Sequence, residues 1–165
     1  MRQSVLSLLV ENTSGVLSRV AGLFSRRGYN IDSLTVGETR NPNYSRMTVA
    51  LHGDEQIIKQ IKSQLLKLED VVDITELKPD ESVCRELVLV KLDADKQQKQ
   101  EIIAIADVFR AKIVDVGIAS IMIELTGNTN KIDAFLTLLD DFTIREIVRT
   151  GLTGLIRGNY QMEEE

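Results

Sequence analysis

The apolar residues of this chain follow the same order twice. Four strand-type and two helix-type patterns occur before residues 79–83 (PDESV), and the same series begins again after them. That short stretch combines proline and charge and has no apolar period, which is typical of a boundary between domains. Each half has about 80 residues, near the lower limit for a self-sufficient core, so we expect the halves to pack together or the chain to oligomerise. The repeat therefore predicts two similar small domains.

The first half predicts the element order β-α-β-β-α-β. Alternating apolar residues predict strands over residues 4–10, 30–40, 45–53 and 71–78. Helical spacing predicts one helix that begins near Val16 and a second that Asp54 caps. Gly28 follows the first helix, where a left-handed C-terminal residue is expected. The predicted apolar faces are Val16, Leu17, Val20, Leu23 and Phe24, and Ile57, Ile58, Ile61, Leu65 and Leu68.

The second half predicts the same order with different residues. Strands are predicted over residues 85–94, 112–119, 120–127 and 144–151. The two helices are marked by Ile102, Ile103, Ala106 and Phe109, and by Ile132, Phe135, Leu136, Leu139 and Phe142. No further strand is predicted after residue 151.

The repeated pattern predicts an α+β protein with two tandem ferredoxin-like βαββαβ sandwiches. We assign residues 1–78 to the first domain, residues 83–160 to the second and residues 161–165 to a mobile acidic tail. In this topology the strand order is 4-1-3-2, so the second strand lies at a sheet edge. That strand is polar on both faces and carries little charge to protect the edge, which predicts a homodimer joined edge to edge.

Composition argues against several classes of function. A net charge of −5 and a pI near 5.0 argue against nucleic-acid binding, and no apolar run is long enough for a membrane span. The single cysteine, Cys84, suits a reducing cytoplasm and is expected to be a structural thiol. The single histidine, His52, is expected at a strand end and rules out a multi-histidine metal site. Asp93, Asp95, Asp140 and Asp141 lie near helix boundaries, where capping explains them. We therefore expect no catalytic and no metal-binding residues, and interpret the chain as a binder or regulator.

Residues 12–15 (NTSG) precede the first helix and allow two interpretations. Thr13 or Ser14 caps the helix and Gly15 only permits the turn, or the free amides from Ser14 to Leu17 bind an anion. Gly15 has no side chain to keep a ligand from the backbone. The sequence physics alone leaves both interpretations open.

The expected dimer favours the second interpretation. A ligand carboxylate would meet the amides of Gly15 and Val16, while Asn30 and Ile31 of the facing edge would meet the rest of the ligand. Carboxylate contacts alone are too weak for micromolar binding, so an ammonium partner and an apolar pocket are also needed. These requirements together point to a free amino acid.

The stretch ENTSGVLSRVAGLFSRRGYNIDSLTVG, with YSRMTV, resembles the ACT-domain regulatory (small) subunits of acetolactate synthase, also called acetohydroxyacid synthase. The later stretches KIVDV, KIDAFL and RTGLTGLIRG extend the resemblance over essentially the whole chain. It implies that the first domain is an ACT domain. It also implies that the effector-site positions are Asn12, Gly15, Val16, Asn30 and Ile31.

The resemblance further implies a non-catalytic subunit that activates a separate large catalytic subunit and confers feedback inhibition by valine or another branched-chain amino acid. This chain would hold no cofactor, and thiamine diphosphate, Mg²⁺ and FAD are expected on the large subunit. Two other classes remain as alternatives: a stand-alone ACT sensor that controls transcription or translation, and an acylphosphatase-like enzyme. The chain has no evident DNA-binding helix pair, and its first loop lacks the arginines of a phosphate cradle.

Overall fold

The computed structural model describes residues 2–158, and the chain forms two compact units. The first unit comprises the chain up to Cys84 together with the chain from Gly151 onward, and the second comprises Arg85–Thr150. The predicted second domain, residues 83–160, is therefore longer than the second unit. The predicted tail, residues 161–165, lies outside the described residues.

The first unit has the predicted element order. Its elements are β1 (Arg2–Glu11), α1 (Val16–Arg26), β2 (Ile31–Glu38), β3 (Tyr44–Gly53), α2 (Glu55–Leu66) and β4 (Val71–Glu76). The four strands form an antiparallel sheet in the order β2-β3-β1-β4. The prediction that the second strand lies at an edge is confirmed.

Both helices of the first unit pack on one face of this sheet because strand alternation places Leu6, Leu8 and Val10 on that face. The helices contribute the buried residues Val16, Val20, Leu23, Phe24, Ile58, Ile61 and Leu65. One assignment to the apolar face was wrong: Leu17 is 45% exposed, because it lies in the first turn beside the core stripe rather than within it. Gly28 has φ of 72° directly after the helix, as predicted.

The second unit repeats the topology. Its elements are β5 (Ser82–Asp93), which begins in the first unit, α3 (Lys96–Phe109), β6 (Lys112–Val116), β7 (Ser120–Gly127), α4 (Thr129–Leu138) and β8 (Thr143–Arg149). Its strand order is β6-β7-β5-β8, and its core includes Val88, Val90, Ile102, Ile121, Ile123 and Phe135. Ile103, predicted on the core face of the helix, is 39% exposed.

The chain beyond Thr150 carries a strand that the sequence analysis missed, β9 (Thr153–Ile156), which pairs with β5. It belongs to the first unit and not to the second. Leu152 is buried there in a cluster with Val5, Ala50 and Leu77. This cluster is separate from the core that the sheet forms with its two helices. β9 is only four residues long, and its four residues alternate between exposed and half-buried, so it carries too short a pattern to be recognised.

Within residues 2–158, no helix combines the length and the apolar character that crossing a membrane requires.

Candidate functional site

The start of α1 differs from the start of the other helices in residues 2–158. The other three begin after a side chain that accepts a hydrogen bond from an amide three residues later: Asp54 from Ile57, Asp95 from Gln98, and Asn128 from Lys131. α1 instead follows Gly15, whose φ is 85°, and no side chain caps it. The interpretation that Thr13 or Ser14 caps this helix is therefore wrong.

Thr13 is engaged elsewhere, which explains why it does not cap the helix. Its hydroxyl donates to Asp70 Oδ1 at 3.5 Å, and its carbonyl accepts a long bond of 3.4 Å from the Val16 amide. The expectation that the Val16 amide has no partner was therefore wrong, although its hydrogen bond is long. The amides of Ser14, Gly15 and Leu17 make no hydrogen bond to any described residue. Three donors at the positive end of a helix dipole are suited to an anion.

Arg19 brings a fixed positive charge to this helix end. Its Nε donates to Asp70, and its Nη2 donates to the Ser14 carbonyl at 3.3 Å. The hydrogen bond from Arg19 lowers the pKa of Asp70, and the same bond raises the pKa of Arg19, so the pair stays ionised at neutral pH. Sequence analysis did not single out either residue. Arg19 lies four residues after Gly15, and helical side chains lean toward the N-terminus of their helix. This spacing could have predicted that the Arg19 side chain lies over the loop.

Asn12 is held at the end of β1 by three hydrogen bonds. Its Nδ2 donates to Glu38 Oε1 at 3.0 Å and to the Pro42 carbonyl at 2.9 Å, and its backbone amide donates to the Asn43 carbonyl at 2.8 Å. Both amide hydrogens are therefore used, and the side-chain oxygen has no partner among the described residues. This oxygen is an acceptor, which suits a ligand ammonium group.

The structure does not bring Asn30 and Ile31 to this loop within one chain. Ile31 pairs with Leu51 at one end of the sheet, whereas Glu38, which holds Asn12, pairs with Ser45 at the other end. Ile31 and Glu38 are seven positions apart along β2, a distance of about 23 Å at roughly 3.3 Å per residue. Asn30 is exposed, and Ile31 is partly buried against the core. The five predicted residues thus form two groups at opposite ends of one edge strand.

The start of α3, the corresponding helix of the second unit, is capped by side chains. The Gln98 amide donates to Asp95 Oδ1 at 2.8 Å, while the Asp95 amide donates to Gln98 Oε1 at 3.0 Å. This capping box uses the amide of the residue before the helix, whose counterpart in α1 is the Gly15 amide.

Comparisons with known proteins match both units. A family model described as the AHAS small subunit-like ACT domain matches residues 6–73, and one described as the small subunit of acetolactate synthase matches residues 85–158. The chain belongs to the acetolactate synthase small-subunit family. The first unit therefore carries an ACT domain, as the sequence resemblance implied, and the chain is a regulatory subunit of branched-chain amino-acid biosynthesis.

Relatives from this family align over nearly the whole length of the chain. A probable small subunit from Methanothermobacter thermautotrophicus is 47% identical, with 96% of this chain and 95% of the relative covered. The small subunit from Haemophilus influenzae is 48% identical, with 93% and 95% covered. The crystal structure of the small subunit from Thermotoga maritima superposes with a TM-score of 0.90 at 42% identity, covering 97% of this chain and 100% of that chain. These matches favour a small subunit over a stand-alone sensor or an acylphosphatase-like enzyme.

The remaining reactive side chains of this small subunit have structural partners. His52, near the end of β3, pairs with Asp32, and Arg145 binds Asp93. Cys84 is a half-buried thiol that packs against the apolar cluster of Leu152. No group of three or more potential metal ligands occurs in residues 2–158.

Proposed function

We propose that this chain activates the thiamine-diphosphate-dependent large subunit of acetolactate synthase and makes it sensitive to feedback inhibition by valine. The observation that carries the proposal is the open start of α1, where Gly15 leaves amides free beside Arg19 in a chain of this family. Every other described helix start is closed by its own side chain. The fold alone does not require a helix start without a side-chain cap, whereas binding of a ligand carboxylate requires free amides there.

The complete effector site requires two copies of the chain. If two β2 strands pair antiparallel across a twofold axis, Ile31 of one copy lies opposite the Glu38 end of the other, because the strand reverses direction across the axis. Asn30 and Ile31 of the partner then approach the loop that holds Asn12, Gly15 and Val16. A site shared between two chains thus explains why Asn30 and Ile31 lie far from the loop of Asn12 within one chain. Each dimer has two such sites by symmetry.

Each group has a distinct role in holding the amino acid. The free amide of Gly15, with the neighbouring Val16 backbone, binds the carboxylate, and the Asn12 oxygen accepts from the ammonium group. Asn30 of the partner adds a polar contact, and Ile31 of the partner covers the aliphatic side chain. Charge-assisted hydrogen bonds contribute about 1.5–3 kcal/mol each. Micromolar affinity needs about 8 kcal/mol, so all of these contacts are required together.

Valine acts by favouring one arrangement of the dimer over another. A coupling free energy of about 1–3 kcal/mol between effector and catalytic subunit is enough for strong inhibition without a change of fold. The chemistry itself takes place on the large subunit in the cytoplasm, where thiamine diphosphate, Mg²⁺ and FAD are bound. Leucine and isoleucine differ from valine by one methylene, which is worth about 1–3 kcal/mol in a pocket.

The proposal is tested with the full chain and its large subunit. Isothermal titration calorimetry with valine is expected to give one site per chain, and addition of the chain is expected to raise the activity of the large subunit and to make that activity valine-sensitive. Leucine and isoleucine are titrated in the same way, and their affinities are compared with that of valine. Absence of heat with all three amino acids, together with absence of stimulation, would overturn the proposal.

A further inference from the structure

The segment of residues 151–157, here called the return segment, carries the chain from the second unit back onto the first. Leu152 is 7% exposed in a cluster with Val5, Ala50 and Leu77. At its far end, the Arg157 amide donates to the Glu81 carbonyl at 2.8 Å. The return segment is thus an integral part of the unit that holds the predicted effector residues.

Gly151 lies directly against β2. A Cβ added to Gly151 would lie 2.4 Å from Ser33 Cβ and 2.9 Å from Ser33 Oγ, and the φ of Gly151 is 80°. Both the contact and the left-handed backbone therefore require glycine at this position. The contact falls where the β2–β3 register shifts between Ile31 and Ser33. A bulge of this kind sets the direction of the neighbouring strand residues.

Two further contacts hold the return segment in place. The Thr35 hydroxyl donates to the Leu152 carbonyl at 3.4 Å, on the same strand as Ser33. A Cβ on Gly154 would lie 2.6 Å from Cys84 Sγ and 2.9 Å from Leu77 Cδ1. Because the segment is tightly packed at both ends, it cannot move away from Ser33 without disturbing β2 or its own cluster.

We propose that Gly151 and Leu152 are positioning residues for the effector site: they hold the bulge of β2 so that Asn30 and Ile31 face the partner's loop in the binding geometry. The inference rests on the proposed function, since it concerns the same effector. Ser33 lies two residues from Ile31 in the same strand, so a displacement of the bulge moves the residues that cover the ligand. Thr150, immediately before Gly151, is bonded through its amide to the Leu87 carbonyl of β5 at 3.0 Å. The positioning contact is therefore adjacent in the chain to the second unit.

The test compares Gly151→Ala with Gly158→Ala, a matched control, because a Cβ on Gly158 meets nothing within 4 Å. In the full chain, Gly151→Ala is expected to raise the calorimetric Kd for valine and the half-inhibitory concentration by about ten-fold, within the 5–150-fold range typical of coupled sites. Gly158→Ala is expected to stay within two-fold of the wild type, a change below about 0.4 kcal/mol.

A compensating change separates positioning from general destabilisation. The double variant Gly151→Ala/Ser33→Gly removes the Ser33 Cβ and is expected to recover the part of the lost affinity that comes from the contact with Ser33, which a defect elsewhere in the fold would not do. The part that comes from the left-handed backbone at residue 151 stays lost. If Gly151→Ala fails to fold, Thr35→Val tests the neighbouring hydrogen bond to the Leu152 carbonyl by removing the hydroxyl while keeping the side-chain shape, with a smaller expected loss of two- to five-fold, or about 0.4–1 kcal/mol.

The outcomes discriminate between the two proposals. Wild-type affinity in folded Gly151→Ala, or no recovery in the double variant, would overturn the positioning role while leaving the proposed function intact. If the wild type and Gly158→Ala themselves bind no branched-chain amino acid, both proposals fail together.

Discussion

The Arg19 side chain binds the Asp70 carboxylate, and this pair connects the first turn of α1 to the chain just before β4. Thr13 donates to the same carboxylate, and the Asp70 carbonyl accepts from the Glu11 amide at 2.8 Å. Asp70 therefore holds the loop between β1 and α1 through hydrogen bonds from Thr13, Arg19 and the Glu11 amide. The loop is held in shape without any side chain that accepts a hydrogen bond from the amides at the start of the helix.

Asp70→Asn is expected to lower the thermal stability of the protein at neutral pH, because it removes the charge that Arg19 binds. The pKa of Asp70 is lowered from 3.8 in the folded state, so the ionised carboxylate stabilises the fold above that pH, and the contribution is lost as the pH falls through the lower folded value. The difference in melting temperature between wild type and variant should therefore shrink toward zero in strong acid. Differential scanning calorimetry across pH measures it. Asp141→Asn is the control, since Asp141 is exposed and makes no ion pair among the described residues.

Gly15→Asp is expected to weaken inhibition by valine strongly while stimulation of the large subunit persists. The new carboxylate would occupy the place of the effector carboxylate, and its Cβ would lie 2.9 Å from Arg19 Nη1, so Arg19 must shift. Loss of one charge-assisted bond predicts an increase in the half-inhibitory concentration of about 10- to 150-fold. Gly15→Asn has the same size and backbone strain without the charge and should have a weaker effect. Inhibition that survives Gly15→Asp unchanged would show that the effector binds elsewhere.

Val36→Lys is expected to shift the protein from dimer to monomer. Val36 is 47% exposed on the edge strand β2, where the proposed dimer would bury it and a lysine charge would lose its hydration. Val72→Lys is a matched control, because Val72 is 50% exposed on β4 at the opposite edge of the same sheet. Sedimentation velocity at several protein concentrations measures the equilibrium. Equal dissociation in both variants, or in neither, would contradict pairing through β2.

Arg149→Leu is expected to destabilise the second unit by about 3–5 kcal/mol, since it leaves a buried carboxylate without its partner. Glu86 is 5% exposed and accepts from Arg149 Nε at 2.7 Å and Nη2 at 2.9 Å. Its hydrogen bond to Glu86 is the main reason that the pKa of Arg149 is raised. Urea unfolding monitored by circular dichroism measures the loss. The double variant Glu86→Leu/Arg149→Leu removes both charges and should be more stable than Arg149→Leu alone.

Leu152→Ala is expected to cost about 2–5 kcal/mol of unfolding free energy, as buried leucine-to-alanine changes usually do. Leu155→Ala, in the same return segment, should cost less than about 0.5 kcal/mol because Leu155 is 62% exposed. Chemical denaturation of the full chain distinguishes the two. A similar small cost for both would mean that the return segment contributes little to the first unit.

Much of the fold was predictable because it follows from local periodicity. Strand side chains alternate between two faces and helix side chains return to the same face every third or fourth residue. The apolar residues Leu6, Leu8, Val20 and Phe24 therefore indicate their elements and faces within a few positions. Asp54 likewise caps its helix by a contact three residues away. Leu17 shows the limit of the method, because it belongs to an apolar helix pattern and is nevertheless half-exposed.

For the candidate site, the sequence by itself determined that a helix begins directly after Gly15, and it left open whether the amides there are capped or free. The tertiary structure decided which groups surround those amides. Arg19 and Asp70 are 51 positions apart, and Thr35 and Leu152 are 117 positions apart, so no local pattern records either contact. The register of β2 likewise decided that Asn30 and Ile31 lie at the far end of the strand from Asn12. Local periods determine which elements form and which faces are buried, whereas contacts between distant segments depend on how the assembled surfaces fit, and only the folded chain specifies that.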